Sequence, residues 1–153
     1  MSLGVTDPDS YPYIPDEELD SDWIDFLKDK EGNRRKIILF YVSISALVQN
    51  RDIAVKKLEN VFRLFKENTD KVVLYYAPDP AINIYLPDKY PDLYKDYQSL
   101  VRDFIDEDYG IYDEGDNDIF MVRLCDAFYG DNGNLMYRFM RAKKPVMAMN
   151  YAM

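Results

Sequence analysis

Ala127-Phe128-Tyr129-Gly130-Asp131-Asn132-Gly133-Asn134, then an amphipathic run, then Lys144-Pro145-Val146-Met147-Ala148-Met149-Asn150: this part of the chain decides its fold. Ala127 to Tyr129 is short, apolar and aromatic, the composition of a buried strand. Gly130 to Asn134 is a polar turn. Gly130 permits a close backbone approach or a positive φ, and Asp131, Asn132 and Asn134 suit a helix N-terminus. Leu135 to Arg141 has helical periodicity, and Val146 to Met149 is another buried strand. Strand, turn, helix and strand in that order make a parallel unit. In an open α/β sheet such a turn stands at the carboxyl ends of the strands, where these folds bind ligands. The N–H groups of a first helical turn favour an anion such as phosphate.

The same alternation runs upstream. Ile37 to Val42 and Val72 to Tyr76 are apolar runs too short for helices, and Ile111-Tyr112 is a short third strand. Ala77-Pro78-Asp79-Pro80 cannot continue a sheet. Between the strands, Asn50 reads as the cap of a helix carrying Ala54, Leu58, Val61, Phe62 and Phe65 at three- and four-residue spacing. Tyr90-Pro91 opens a long helix with the stripe Leu93, Tyr94, Tyr97, Leu100, Val101, Phe104 and Ile105. A shorter helix spans about 119–124. Ser21 reads as the cap of a short helix bearing Trp23, Phe26 and Leu27, ended by Gly32-Asn33. Residues 1–20 are rich in Pro, Asp and Tyr without periodicity, an extended arm. The expectation is an α/β domain over 36–153, a Rossmann-like open parallel five-stranded sheet with helices on both faces. The arm and short helix occupy 1–35.

Composition narrows the function classes. A chain of 153 residues has the size of one domain. Its formal charge of −9 argues against a nucleic-acid or anionic-membrane surface, which needs clustered Lys and Arg. No stretch approaches the length of a membrane span. The chain contains no histidine, which removes the commonest general base, histidine triads and most zinc sites. Cys125 is the only cysteine, so no internal disulfide forms, and with no cationic neighbour evident it reads as packing.

Several clusters carry a chemical reading beside a plain one. Gly130 to Asn134 reads as a phosphate or ribose contact, or as an ordinary strand–helix turn. Ser43 and Ser45, after the first strand, are hydroxyls for a ligand or for local backbone. Asp113-Glu114-Gly115-Asp116-Asn117-Asp118 invites a divalent cation, yet Gly115 falls where a calcium-loop ligand is required. An acidic first turn facing a helix dipole explains it as well, and no metal or cofactor is expected. The tyrosine excess divides into core positions, Tyr94 and Tyr97, and a second set, Tyr11, Tyr13, Tyr41, Tyr75, Tyr76, Tyr129 and Tyr151, some of which suit an interface. Arg141-Ala142-Lys143-Lys144 is a basic helix C-terminus. A phosphoacceptor receiver domain has this alternation of elements too. It needs acidic residues after the first strand and a lysine after the fifth, where Ser43 and Asn150 stand.

At Lys36-Ile-Ile-Leu-Phe-Tyr-Val-Ser-Ile-Ser45, at Leu74-Tyr-Tyr-Ala-Pro-Asp-Pro80, and at Asp126-Ala-Phe-Tyr-Gly-Asp131 through Lys144-Pro-Val-Met147, the sequence resembles the CDP-glycerol glycerophosphotransferase family. The resemblance is closer to a branch found in Gram-positive bacteria and covers roughly 36–150, the C-terminal half of such an enzyme. It implies the donor-binding half of a GT-B-type fold. Family members transfer glycerol phosphate or related units from a CDP-activated donor to a polymer such as teichoic acid, at the cytoplasmic face of the membrane. By analogy Gly130, Asp131, Asn132, Gly133 and Asn134 are donor-site positions, with Ser43, Ser45 and Asp79 lining the same crevice. The full-length protein would be cytoplasmic, peripheral to the inner membrane face. An N-terminal domain or partner chain would complete the enzyme, and without it the uncovered cleft offers a surface for a homodimer.

Two departures bear on the site. The family carries His-Pro after the second strand, the histidine engaging donor phosphates, and this chain has Asp79 before Pro80. The family also tends to place serines after the Gly-Asp turn, where this chain has Asn132 and Asn134. Two functions are therefore expected. One is a nucleotide-diphosphate donor-binding domain, inactive in isolation. The other is a degenerate, non-catalytic Rossmann-like binding or interaction module.

Overall fold

The computed structural model of this chain describes residues 14–15, 18–19, 21–114 and 118–152. Most of the N-terminal arm, including Tyr11 and Tyr13, and the centre of the acidic loop, 115–117, lie outside them. The elements run α1 (Ser21–Leu27), β1 (Lys36–Tyr41), α2 (Ile44–Asn50), α3 (Asp52–Lys66), β2 (Val72–Tyr76), α4 (Ala81–Lys89), α5 (Pro91–Glu107), β3 (Ile111–Tyr112), α6 (Asp118–Leu124), β4 (Ala127–Gly130), α7 (Asn134–Arg141) and β5 (Val146–Ala148).

The five strands form one sheet in the order β3-β2-β1-β4-β5, every pair parallel. Alternate strand residues point to opposite faces and each face builds its own core. Ile37, Leu39, Val73, Tyr75 and Phe128 pack on one side with Leu27 of α1, Val122 of α6 and Phe139 of α7. Phe40, Leu74 and Tyr76 pack on the other with Leu47, Leu58, Phe62, Leu86 and Phe104 from α2 to α5. Helices thus cover both faces of an α/β, Rossmann-like open sheet. The chain steps outward from β1 to β3, then crosses back to place β4 on the other side of β1. That reversal puts the topological switch point between β1 and β4. A receiver-type sheet has the order 2-1-3-4-5, so the strand order separates this fold from it.

The helices depart from the sequence reading in four places. Asn50 does not cap α3. It closes the separate helix α2, its Nδ2 donating to the Ala46 carbonyl at 2.8 Å, and Arg51 at φ 45° breaks the chain before α3. Helix α4 is an addition to that reading: Pro80 precedes it with helical φ, and Pro87 lies inside it. Gly32-Asn33 does not end α1, which stops at Leu27. The chain then turns through Asp29 to Gly32, the Asp29 carboxylate accepting from the Glu31 and Asn33 N–H groups. Ile105, expected on the buried stripe of α5, is 45 % exposed.

Candidate functional site

The carboxyl ends of β1, β2 and β4 meet on one rim, and hydrogen bonds tie them together. Register pairs Tyr41 of β1 with Gly130 of β4. Beyond that pair the Asp131 N–H donates to the Tyr41 carbonyl at 3.0 Å, and the Asp79 N–H to the Val42 carbonyl at 2.9 Å. Three of the expected site residues, Ser43, Asp79 and Asp131, are thereby gathered at the N-terminus of α2.

What fills that N-terminus is the chain itself. Four backbone N–H groups, those of Ser43, Ile44, Ser45 and Ala46, open α2 with no intrahelical partner. The Asp131 carboxylate accepts from Ser43 at 2.8 Å, the Asp79 carboxylate from Ile44 at 3.1 Å, and the Ser43 hydroxyl from Ala46 at 3.1 Å. Asp79 also accepts from the Ala81 N–H at 3.0 Å through its other oxygen. One carboxylate therefore spans the starts of α2 and α4, both positive ends of helix dipoles. Tyr151, from the segment after β5, folds back and donates to Asp131 at 2.8 Å.

The electrostatics of the rim follow. Burial pushes the Tyr41 hydroxyl up to about 12, with the Asp79, Asp131 and Asp118 carboxylates adding to the shift. Asp131 itself is raised, because burial outweighs the stabilising bonds from Ser43 and Tyr151. Tyr151 is raised by burial and then by Asp131, and Tyr129 likewise. A phosphate arriving here would meet two carboxylates. Each like charge within a few ångströms costs on the order of a kcal/mol or more at an effective dielectric near 20.

The remaining expected residues divide. Gly130 is a packing glycine: a Cβ there would stand 2.2 Å from the Tyr41 carbonyl oxygen. Gly133 precedes α7 in extended backbone with open space around it, the nearest atom to an added Cβ being 3.9 Å away. Asn132 and Asn134 are exposed, and α7 has no side-chain cap. Ser45 points elsewhere, into a shallow groove between α2 and α4 that Gln49, Tyr85 and Lys89 also line.

Around the acidic loop, tyrosines take up the carboxylates. Tyr75 donates to Asp113 at 2.5 Å and Tyr112 to Glu114 at 2.6 Å, and Asp118 lies 3.8 Å from the Arg138 Nε. Of the other tyrosines, Tyr76 and Tyr97 are buried with their hydroxyls 2.8 Å apart, and Tyr94 donates to Asn83. Cys125 does have a cationic neighbour: Lys144 turns inward and donates to the Cys125 and Val122 carbonyls. Burial still dominates and pushes the thiol up, which keeps it a packing residue. The Asp79 and Asp131 bonds were invisible to sequence reading, because their partners are 35 and 88 positions away.

No family model, no curated protein and no solved structure matches this chain. Among the described residues no helix is long and apolar enough to cross a membrane.

Proposed function

We propose that this chain is a non-catalytic Rossmann-like binding or interaction module that keeps a nucleotide-binding scaffold with its phosphate position closed. One observation carries the proposal: the Asp131 and Asp79 carboxylates occupy the N–H groups of Ser43 and Ile44 at the switch point. In a functioning sheet of this order, those donors and the adjacent helix dipole serve an incoming phosphate. Here two fixed negative charges stand in the phosphate's place, and both are held by further bonds from Ala81 and Tyr151.

A second reading is a nucleotide-diphosphate donor-binding domain of a CDP-glycerol-type transferase, inactive alone and placed at the cytoplasmic membrane face. Two observations favour it: Ser43, Asp79 and Asp131 converge on one rim, and α7 starts without a side-chain cap. On that reading an N-terminal domain or partner chain supplies the acceptor, and the protein positions the donor and stabilises the leaving group's charge.

Calorimetry separates the two. The module is expected to give no heat of binding with CDP or CDP-glycerol at millimolar concentration, and Asp79→His is expected to create none, because Asp131 still holds Ser43. Saturable binding by the wild-type chain would reinstate the donor site. Affinity appearing only in Asp79→His would mean a site one residue from working.

A further inference from the structure

On one face of the sheet the described helices cover β1 to β3 and leave β4 and β5 bare. On the side of Phe40 and Tyr76, α2 and α3 fill the connection from β1 to β2, and α4 and α5 that from β2 to β3. The helices that reach β4 and β5, α6 and α7, pack on the opposite side. Tyr129 and Met147, paired in register, therefore look out beside α3 with no helix over them among the described residues. The result is a groove of about 500 Å³ between α3 and the β5 edge. Leu64 and Met147 stand at its mouth, 59 % and 65 % exposed, and Phe65, Tyr129 and Ile38 line it within.

Dimensions and charge state what fits. Two strands spaced at about 4.8 Å leave a strip about 10 Å wide, the width of one helix packed beside α3. Among the described residues no Asp or Glu lines the groove, although 28 of the chain's 153 residues are acidic, and the one charged lining residue among them is Lys57. A strand added to β5 gains little, because β5 has three residues. A second copy fits poorly by way of α3, because the outward side of that helix carries Lys56, Glu59, Arg63 and Lys66.

We propose that this groove receives one amphipathic α-helix of a partner protein, its apolar face on Tyr129 and Met147 and an acidic side chain beside Lys57. The proposal rests on the reading of the domain as a binding module. Its test uses no nucleotide, so the two fail separately.

The probes are three synthetic 18-residue peptides. One carries leucines at i, i+3, i+4 and i+7 with glutamates on the flanks, one replaces the glutamates with lysines, and one interrupts the acidic helix with proline. Each is titrated into the ¹⁵N-labelled full chain. The acidic helix is expected to bind saturably and about tenfold more tightly than the basic one, shifting the amides of Leu64, Tyr129 and Met147. Lys57→Glu should reverse that preference, and Met147→Asp, at an exposed position that leaves the fold intact by circular dichroism, should abolish binding. No saturable binding, equal binding of all three peptides, or undiminished binding to Met147→Asp would overturn the proposal. So would sedimentation showing a dimer that Met147→Asp dissociates, because the groove would then belong to a second copy.

Discussion

Asp131, at the end of β4, accepts a hydrogen bond from the backbone N–H of Ser43, the N-cap residue of α2, at 2.8 Å. The two residues flank the switch point of the sheet. The bond joins the two halves of the doubly wound chain. It also makes Asp131 a structural anion, with consequences for stability and for pH.

Asp131→Asn tests the charge. Burial holds the Asp131 carboxyl above its ordinary value of 3.8, so the folded chain binds this proton more tightly than the unfolded one. The sign follows: this group's contribution to stability grows as pH falls through the folded value and is lost as pH rises through it. Asn keeps an acceptor for Ser43 and Tyr151 and does not titrate. The melting temperature of the wild type, relative to Asp131→Asn, should therefore rise as pH falls from about 7 toward about 4. A difference that is flat, or that moves the other way, contradicts this.

Two glycines on the rim should behave oppositely. Gly130→Ala drives a methyl group to 2.2 Å from the Tyr41 carbonyl and must spread β1 from β4. A loss of about 2–3 kcal/mol is expected in urea denaturation. Gly133→Ala meets nothing closer than 3.9 Å in extended backbone and should stay within about 0.5 kcal/mol of wild type. Equal losses would mean that both glycines serve the turn rather than the strand contact.

The contrast shows what the sequence makes legible. Apolar runs such as Ile37 to Val42 and Val72 to Tyr76 announce strands because a parallel sheet buries both faces. Five of them alternating with helical stripes lead to the observed class of fold. Helix α2 escaped because seven residues show barely two turns of periodicity, and Asn50 suits the end of one helix and the start of the next equally well. Helix α4 went unread because its apolar residues form no stripe along one side, and one proline stands at its start and another near its end. At the site, Ser43, Asp79 and Asp131 were visible as residues, but their pairing was not. Which carboxylate reaches which N–H is decided by strand order, a long-range property that local patterns do not encode.

The buried tyrosine pair gives a cycle. Tyr76 and Tyr97 satisfy each other's hydroxyls at 2.8 Å inside the core shared by α3 and α5. Either Tyr76→Phe or Tyr97→Phe leaves one buried hydroxyl unpaired, at a cost of about 1–3 kcal/mol. The double variant removes both and should lose less than the sum of the singles. Chemical denaturation of all four proteins measures the coupling, and strict additivity would show that water already serves these groups.

Ser43→Ala removes the side-chain cap of α2 while keeping the Asp131 bond to its N–H. The expected cost is about 1 kcal/mol, read as a lower urea midpoint with unchanged slope. A change in slope would point to loss of structure beyond the helix end.

The central claim is that the Ser43 and Ile44 donors at the start of α2 are already taken. The most direct measurement follows the backbone amides of Ser43 and Ile44 by ¹H–¹⁵N NMR while CDP, and separately pyrophosphate, is raised to millimolar concentration. The account predicts that both resonances stay in place throughout the titration. Saturable shifts of these two amides would show phosphate displacing Asp131 and Asp79, and would contradict it.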